Sequence, residues 1–239
     1  AISEGIAQAQ ETGRLVMAWM NDSIINSGYN SNYLSNTSAG FSPVASLCSS
    51  NIIPPSNNAH CSFNSNTHTA GGDRLAVRRM TGGDTPSTRD LQTCGGETLS
   101  TAITNARDEV VDVYWVALNN TDADASNNYQ LMCATYNEAG AIQGTVQAIA
   151  NGIESMHFLV GIGSNAGETF RFVSPANVSN WSDVVAVRIA LLVREFGDNT
   201  LTVDRRAYGL LDADPVIYND GVARFVQNGT IWFPNTRKM

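Results

Sequence analysis

The chain has 239 residues, 43% hydrophobic and 15% charged, with a net charge of −8. That is enough apolar material for a buried core, which argues against disorder. Lys238 is the only lysine, so the clustered cationic surface that nucleic-acid binding requires is missing, and no direct nucleic-acid partner is expected.

No apolar run reaches the roughly 18 residues of a membrane span, and the chain as given is expected to be soluble. Its opening, AISEGIAQAQETGR, has neither a basic start nor an apolar centre, so no secretory leader is read there and a mature or trimmed form is expected.

From residue 1 to 27 the apolar positions Ile2, Ile6, Ala9, Gly13, Val16, Met20 and Ile24 recur at steps of three and four. Leu15, Met17 and Trp19 widen the stripe, and Glu4, Gln8, Glu11, Arg14 and Asp22 hold the opposite side. This predicts one long amphipathic helix ending near Ser27-Gly28, where glycine can take the left-handed conformation that closes helices.

Residues 28 to 72 are rich in Asn, Ser, Gly and Pro and read as a long irregular excursion, a length of loop that is uncommon unless functional or pinned. Strand-like runs follow at Arg74–Met80, Val110–Leu118, Tyr129–Tyr136, Gly152–Gly161, Thr169–Val173, Asp183–Phe196 and Ala223–Phe233. The turn-rich NNTDADASNN between the second and third predicts an antiparallel hairpin. The fold class expected is α+β, a single domain over residues 1–239. One N-terminal helix (1–27) would lie on a mainly antiparallel sheet (73–239), with a disulfide-pinned loop region (28–72) between them.

Cys48, Cys61, Cys94 and Cys133 form no CxxC pair, and among the histidines only His60, beside Cys61, is near one. A zinc site is therefore poor, and an even count in a loop-rich chain fits two disulfides in an oxidising compartment. Three pairings are possible. Cys48 with Cys61 and Cys94 with Cys133 is the expected one; four free buried thiols are the alternative.

Catalytic motifs are scarce. There is no GxSxG, HExxH or P-loop. His60 and His68 lie in the excursion, and His157, the one histidine in a strand-like run, reads more readily as structural than as a base. Gly161-Ile-Gly163 with Ala166 mimics a dinucleotide fingerprint, yet Glu168-Thr-Phe-Arg-Phe-Val173 alternates like a strand and supplies no helix to meet a pyrophosphate. Asp122, Asp124, Ser126 and Asn128 fall on alternate positions as calcium ligands do. Asn127 stands where the loop glycine belongs and Cys133 where the closing glutamate belongs, so a solvated hairpin tip is the plainer reading. Arg74, Arg78 and Arg79 read as exposed strand positions and salt bridges. No enzyme, metal or cofactor is expected.

Three segments carry a resemblance. Gln10, Glu11, Thr12, Gly13 and Arg14, with Gly28 and Tyr29 closing the helix, resemble the helical segment of PilW-type minor pilins of the type IV pilus. Asn151-Gly-Ile-Glu154 resembles that family's Gly-Val-Glu motif, Trp181 to Arg194 resembles its Val-Arg-Val-x-Leu-Leu-Val-Arg strand, and Gly221 to Phe233 more loosely takes the place of its last strand. The resemblance implies a type IV pilin-like fold and a non-enzymatic role in a complex that primes pilus assembly and sits at the filament tip.

It also implies partners: other minor pilins, the major pilin, a PilY-type tip adhesin, and the inner membrane through a segment upstream of Ala1. The location implied is the periplasmic face of the inner membrane and then the pilus tip, with adhesion or twitching as end uses. Ile2, Ile6, Ala9 and Gly13 form the stripe expected to pack on partners, with Ile2 and Ile6 projecting beyond the globular part. The chain as given is expected to be monomeric. A J-type pseudopilin of type II secretion, or a secreted calcium- or glycan-binding β-rich domain, are the rival readings.

Overall fold

A computed structural model describes residues 2–25, 27–28, 42–68, 71–80, 92–99, 109–118, 129–163, 170–196 and 206–236. Among the described residues one α-helix, α1 (Ile2–Ile24), precedes ten strands: β1 (Leu75–Met80), β2 (Glu109–Leu118), β3 (Tyr129–Asn137), β4 (Ile142–Asn151), β5 (Ile153–Ile162), β6 (Arg171–Val173), β7 (Val184–Arg194), β8 (Ala207–Tyr208), β9 (Val216–Ile217) and β10 (Arg224–Trp232). Every pairing between these ten strands is antiparallel. The expected hairpin is present, with Leu118 opposite Tyr129 and Val110 opposite Asn137.

The single sheet foreseen from the sequence is in fact two, ordered β1-β2-β3-β4 and β10-β7-β5-β6, with β8 and β9 forming a separate ribbon. Gly152 makes the division. With φ of +76° it adopts a conformation that side chains disfavour. Its N–H donates to the Tyr129 carbonyl of the first sheet, and its own carbonyl accepts from Arg194 N–H of the second. One residue thus turns the chain from β4 into β5 and from one sheet into the other.

Strand β4 was missed in the sequence because its pattern is blurred. Its partnership with β3 slips register twice, between Leu131 and Met132 and between Cys133 and Thr135, so apolar residues do not alternate cleanly. The ribbon strands are two residues each, too short to leave a period.

The core lies between the helix and the inner faces of both sheets. Val16, Met17, Met20 and Ile24 of α1 join Leu75, Tyr114, Leu131, Met156, Phe158, Ile189 and Leu191 in one buried cluster. Trp19 meets Tyr114 edge to face with ring centroids 5.9 Å apart, a favourable aromatic arrangement.

The outer face of the first sheet is buried as well. Ala76, Val111, Val113, Trp115, Ala134 and Tyr136 pack under Ala45, Ile52 and Ala59 of the excursion. This explains why β2 reads as a continuous apolar run rather than an alternating one. Single bridges of Val44 to Val77 and of Phe63 to Arg74 tie the excursion to the sheet edge. Gly28 takes φ of +80° and donates its N–H to the Arg78 carbonyl, directing the chain away from α1.

Candidate functional site

The helix divides its surface sharply. Ala9 is fully buried and Gly13 is buried too, so neither faces a partner as the sequence pattern suggested. A methyl group at Gly13 would stand 3.0 Å from the Gln227 side chain and 3.3 Å from Val193. The small residues of the stripe let α1 settle closely on β7 and β10 of its own chain.

The helix start is also less free than expected. Gly5 is buried against Glu195 and Ala223, because the ends of β7 and β10 extend as far as that turn. Ile6 is half-buried. The side chain of Ile2 lies outside the described residues.

What remains outward is a different set. Glu11 and Arg14 pair on the far side of the helix at 2.7 Å, their side chains 55% and 71% exposed. Leu15 beside them is 59% exposed. With Thr12 and Trp19 it borders a shallow groove of about 500 Å³ whose other wall is Ile149, Ala150 and Phe196.

A second cluster joins the motif segments in the folded chain. Glu154 accepts from Arg224 Nε at 2.6 Å and Nη2 at 3.2 Å, and from Arg194 Nη1 at 3.3 Å. Arg224 also reaches Asp220 with Nη1 at 2.7 Å and Nη2 at 2.9 Å, and stacks 3.6 Å over the Tyr218 ring. The β5–β7 ladder slips between Ile153 and Ser155, leaving Glu154 as the extra residue. Such a bulge re-aims a side chain, and here it presents the carboxylate to both guanidinium groups.

Burial works against the Arg224 charge, but the hydrogen bonds to Asp220 and Glu154 outweigh it and raise its pKa above the usual guanidinium value. The hydrogen bond from Arg224 holds Asp220 below the usual carboxylate range. Burial and the Glu154 charge push the Tyr218 hydroxyl up to about 12. Charges inside apolar strands need partners. Lone Glu154, Arg194 and Arg224 in otherwise apolar runs were the sequence signal that they would find one another.

The structure bonds Cys48 to Cys61 and Cys94 to Cys133. The first closes only part of the excursion. Arg74 reinforces it, donating from Nε to the Cys61 carbonyl at 3.0 Å and from Nη2 to Cys48 Sγ at 2.6 Å. Arg74 is therefore buried rather than exposed. Arg79 is buried as well, against Asp112 at 2.7 Å, while Arg78 pairs with Glu109 at 2.6 Å. The second disulfide brings Cys94 beside Thr135, whose hydroxyl accepts the Cys94 N–H at 2.8 Å and donates to Asp112 at 2.7 Å.

His157 is fully buried, 3.3 Å from Asp73. Its ring meets that of His68 edge to face at 4.9 Å. His68 contacts Ser155 Oγ at 3.1 Å through Nδ1 and the Asp214 carbonyl at 2.9 Å through Nε2. Burial, then the neighbouring His157, lowers the His68 pKa, and burial raises that of Asp73 against the pull of His157. Ser155 is itself fully buried, so the Ser–His contact ties the excursion to β5.

His60 lies beside Tyr136 with ring centroids 6.3 Å apart. No group of three or more potential metal ligands exists among the described residues. Asp122, Asp124, Ser126 and Asn128 lie outside them, as does Ala166 of the glycine motif.

The family profile of type IV pilus-assembly protein W, PilW, matches residues 113–235. In three dimensions the chain is similar to a type IV-like pilin from Thermus thermophilus, with a TM-score of 0.53 and 12% identity over 96% of this chain and 97% of that one. No curated protein sequence matches the chain. The profile runs from β2 to the end of β10 and so includes Glu154, Arg194 and Arg224: the chain belongs to the PilW family of type IV pilus-assembly proteins and has a type IV pilin-like fold.

Proposed function

We propose that this protein is a non-enzymatic minor pilin that joins other minor pilins in the complex priming pilus assembly and then occupies the filament tip. The observation that carries the reading is the division of α1. Gly5, Ala9, Gly13, Val16, Met17 and Met20 are buried within the chain itself, whereas Glu11 and Arg14 of the family-like helical segment face solvent with Leu15. A surface ion pair of this kind adds little stability, and an exposed leucine beside an apolar groove suits a protein contact.

On this reading a helix from another pilin subunit enters the groove beside Leu15 and Trp19. A segment upstream of Ala1 holds the protein at the periplasmic face of the inner membrane before the filament extends. A PilY-type adhesin and the major pilin are the further partners, and adhesion or twitching is the end use.

The test is retention of partners from the native envelope on the tagged protein, identified by mass spectrometry. Other minor pilins and a PilY-type protein are expected in the wild type, and Leu15→Asp should lose them while keeping the fold. Ile6→Asp, at a half-buried site, is expected to weaken retention less. Retention of secretion-system pseudopilins instead, or of the same pilins by Leu15→Asp, would overturn the assignment.

A further inference from the structure

The outer face of the second sheet carries a row of side chains that the assembly role does not use. Across four strands, Phe172 stands opposite Gly161, Gly161 opposite Ala186, and Ala186 opposite Trp232. Two large aromatics thus flank the two smallest side chains. Phe170 fills the space between them: a methyl group on Gly161 would come within 2.7 Å of its ring. Its centroid is 4.6 Å from that of Trp232 and 4.9 Å from that of Phe172. The glycine of the apparent dinucleotide motif is therefore required by a ring.

This cluster is not core. Trp232 is 54% exposed and Phe170 41%. Exposed aromatics gathered into one platform, rather than scattered, mark a binding surface. One strand step along, in the adjacent row, Arg188 lies opposite Leu159 and Thr230. Its guanidinium carbon sits 3.9 Å from the Phe172 centroid, and its Nε donates to Thr230 Oγ1 at 3.2 Å. Stacking and that one bond fix the plane of the guanidinium, and its two terminal nitrogens have no partner among the described residues.

We propose that this platform binds a carboxylate-bearing pyranose, the acidic sugar residue of a glycan. The proposal stands apart from the assembly role. Trp232, with Phe170 stacked against it at 34° between ring planes, offers an exposed apolar ring to the C–H face of a pyranose, while Phe172 stands edge-on to Phe170 at 86° and carries the Arg188 guanidinium. Alternate residues of a strand are about 7 Å apart, which sets the free edge of Arg188 beside the rings, within reach of a carboxylate held in the plane of the sugar. A guanidinium in fixed orientation recognises a carboxylate through two parallel hydrogen bonds. In a chain of net charge −8, a cation with open donors among aromatic rings is the local feature that favours an anion.

The experiment is titration of the 239-residue chain with galacturonic acid, its methyl ester and N-acetylneuraminic acid, following the Trp232 indole N–H by NMR. Millimolar binding of at least one acid, about 1 mM, is expected. Arg188→Gln should weaken it roughly 10-fold, the loss typical of a charge-assisted hydrogen bond, and Trp232→Ala should abolish the saturable response of the remaining platform resonances. The ester should bind the wild type as poorly as the acid binds Arg188→Gln. Hippurate serves as the peptide-like carboxylate, and circular dichroism checks that both variants fold. The proposal fails if neither acid shifts the indole at about 20 mM, a limit that excludes millimolar affinity. It also fails if acid and ester bind alike, if Arg188→Gln binds as well as wild type, or if hippurate matches the sugars.

Discussion

The two sheets treat their outer faces differently. On the first sheet the face is apolar from Ala76 to Tyr136 and is covered by Ala45, Ile52 and Ala59, from a segment that contains the Cys48–Cys61 bond and accepts three hydrogen bonds from Arg74. On the second, among the described residues, the ribbon strands and their flanks cover the middle, where Leu210 and Tyr208 meet Ala190 and Leu192. One end is sealed by the Glu154, Arg194 and Arg224 cluster, and the other is left open as the aromatic platform. Similar apolar strands therefore end up buried or available according to what the rest of the chain lays over them. The cover, more than the strand, decides which surface can bind.

The comparison breaks most severely at the sealed end. Glu154→Gln removes the one carboxylate shared by two buried guanidinium groups, and leaving buried charge uncompensated costs about 3–5 kcal/mol. Urea unfolding should show that loss as a lower midpoint with an unchanged slope.

Replacing Cys48 and Cys61 together by serine is expected to cost about 3 kcal/mol, the loop-closure value for a short crosslink. Hydrogen exchange should then quicken between residues 42 and 68 while β7 and β10 keep their protection. Equal loosening of both sheets would mean that the cover is integral to the whole fold.

A smaller, pH-dependent effect is expected where the excursion meets the second sheet. The His68 pKa is lowered on folding, so the unfolded chain binds that proton more readily. Its contribution to stability is present above the ordinary histidine value and is lost as pH falls toward the folded value. Asp73, raised by burial, acts in the opposite sense: the stability it contributes is present at low pH and is lost as pH climbs past its folded value. Between about pH 7 and 5, His68→Asn should flatten the decline in the urea midpoint seen in the wild type. His157, Asp73, Ser155 and the Asp214 carbonyl are the groups facing the ring, and an unaltered pH slope in the variant would remove His68 from the account.

Smallest of all should be Trp232→Ala at the open end. The half-exposed side chain gives up chiefly its stacking on Phe170, and such an aromatic pair is worth about 0.5–1.5 kcal/mol. A much larger loss by thermal unfolding would mean that the platform is part of the core after all.

Much of this architecture was legible in the chain. The step of three and four through Met20 and Ile24 predicted α1, and the apolar runs around Tyr114, Cys133, Phe158 and Ile189 predicted strands whose observed limits lie within a residue or two. Strand β4 was hidden because its register slips and its exposed positions carry Gly, Thr, Ala and Asn while Gln143 is buried. The wrong inference about Ala9 and Gly13 has a simple origin: periodicity reports that one face of a helix is buried, and leaves open whether the chain itself or a partner buries it. The second sheet was hidden for a related reason, since alternation says that a residue faces inward without saying toward which sheet.

By itself the sequence determined the local states, because hydrophobic period, turn chemistry and the penalty on unpaired charge act over a few residues. Only the tertiary structure decided that Gly152 would turn one sheet into two, that Glu154 would meet Arg194 and Arg224, and that Leu15 and Trp232 would be left facing water. Those outcomes depend on contacts between residues tens of positions apart, and such contacts exist only once the covers have found the faces they close.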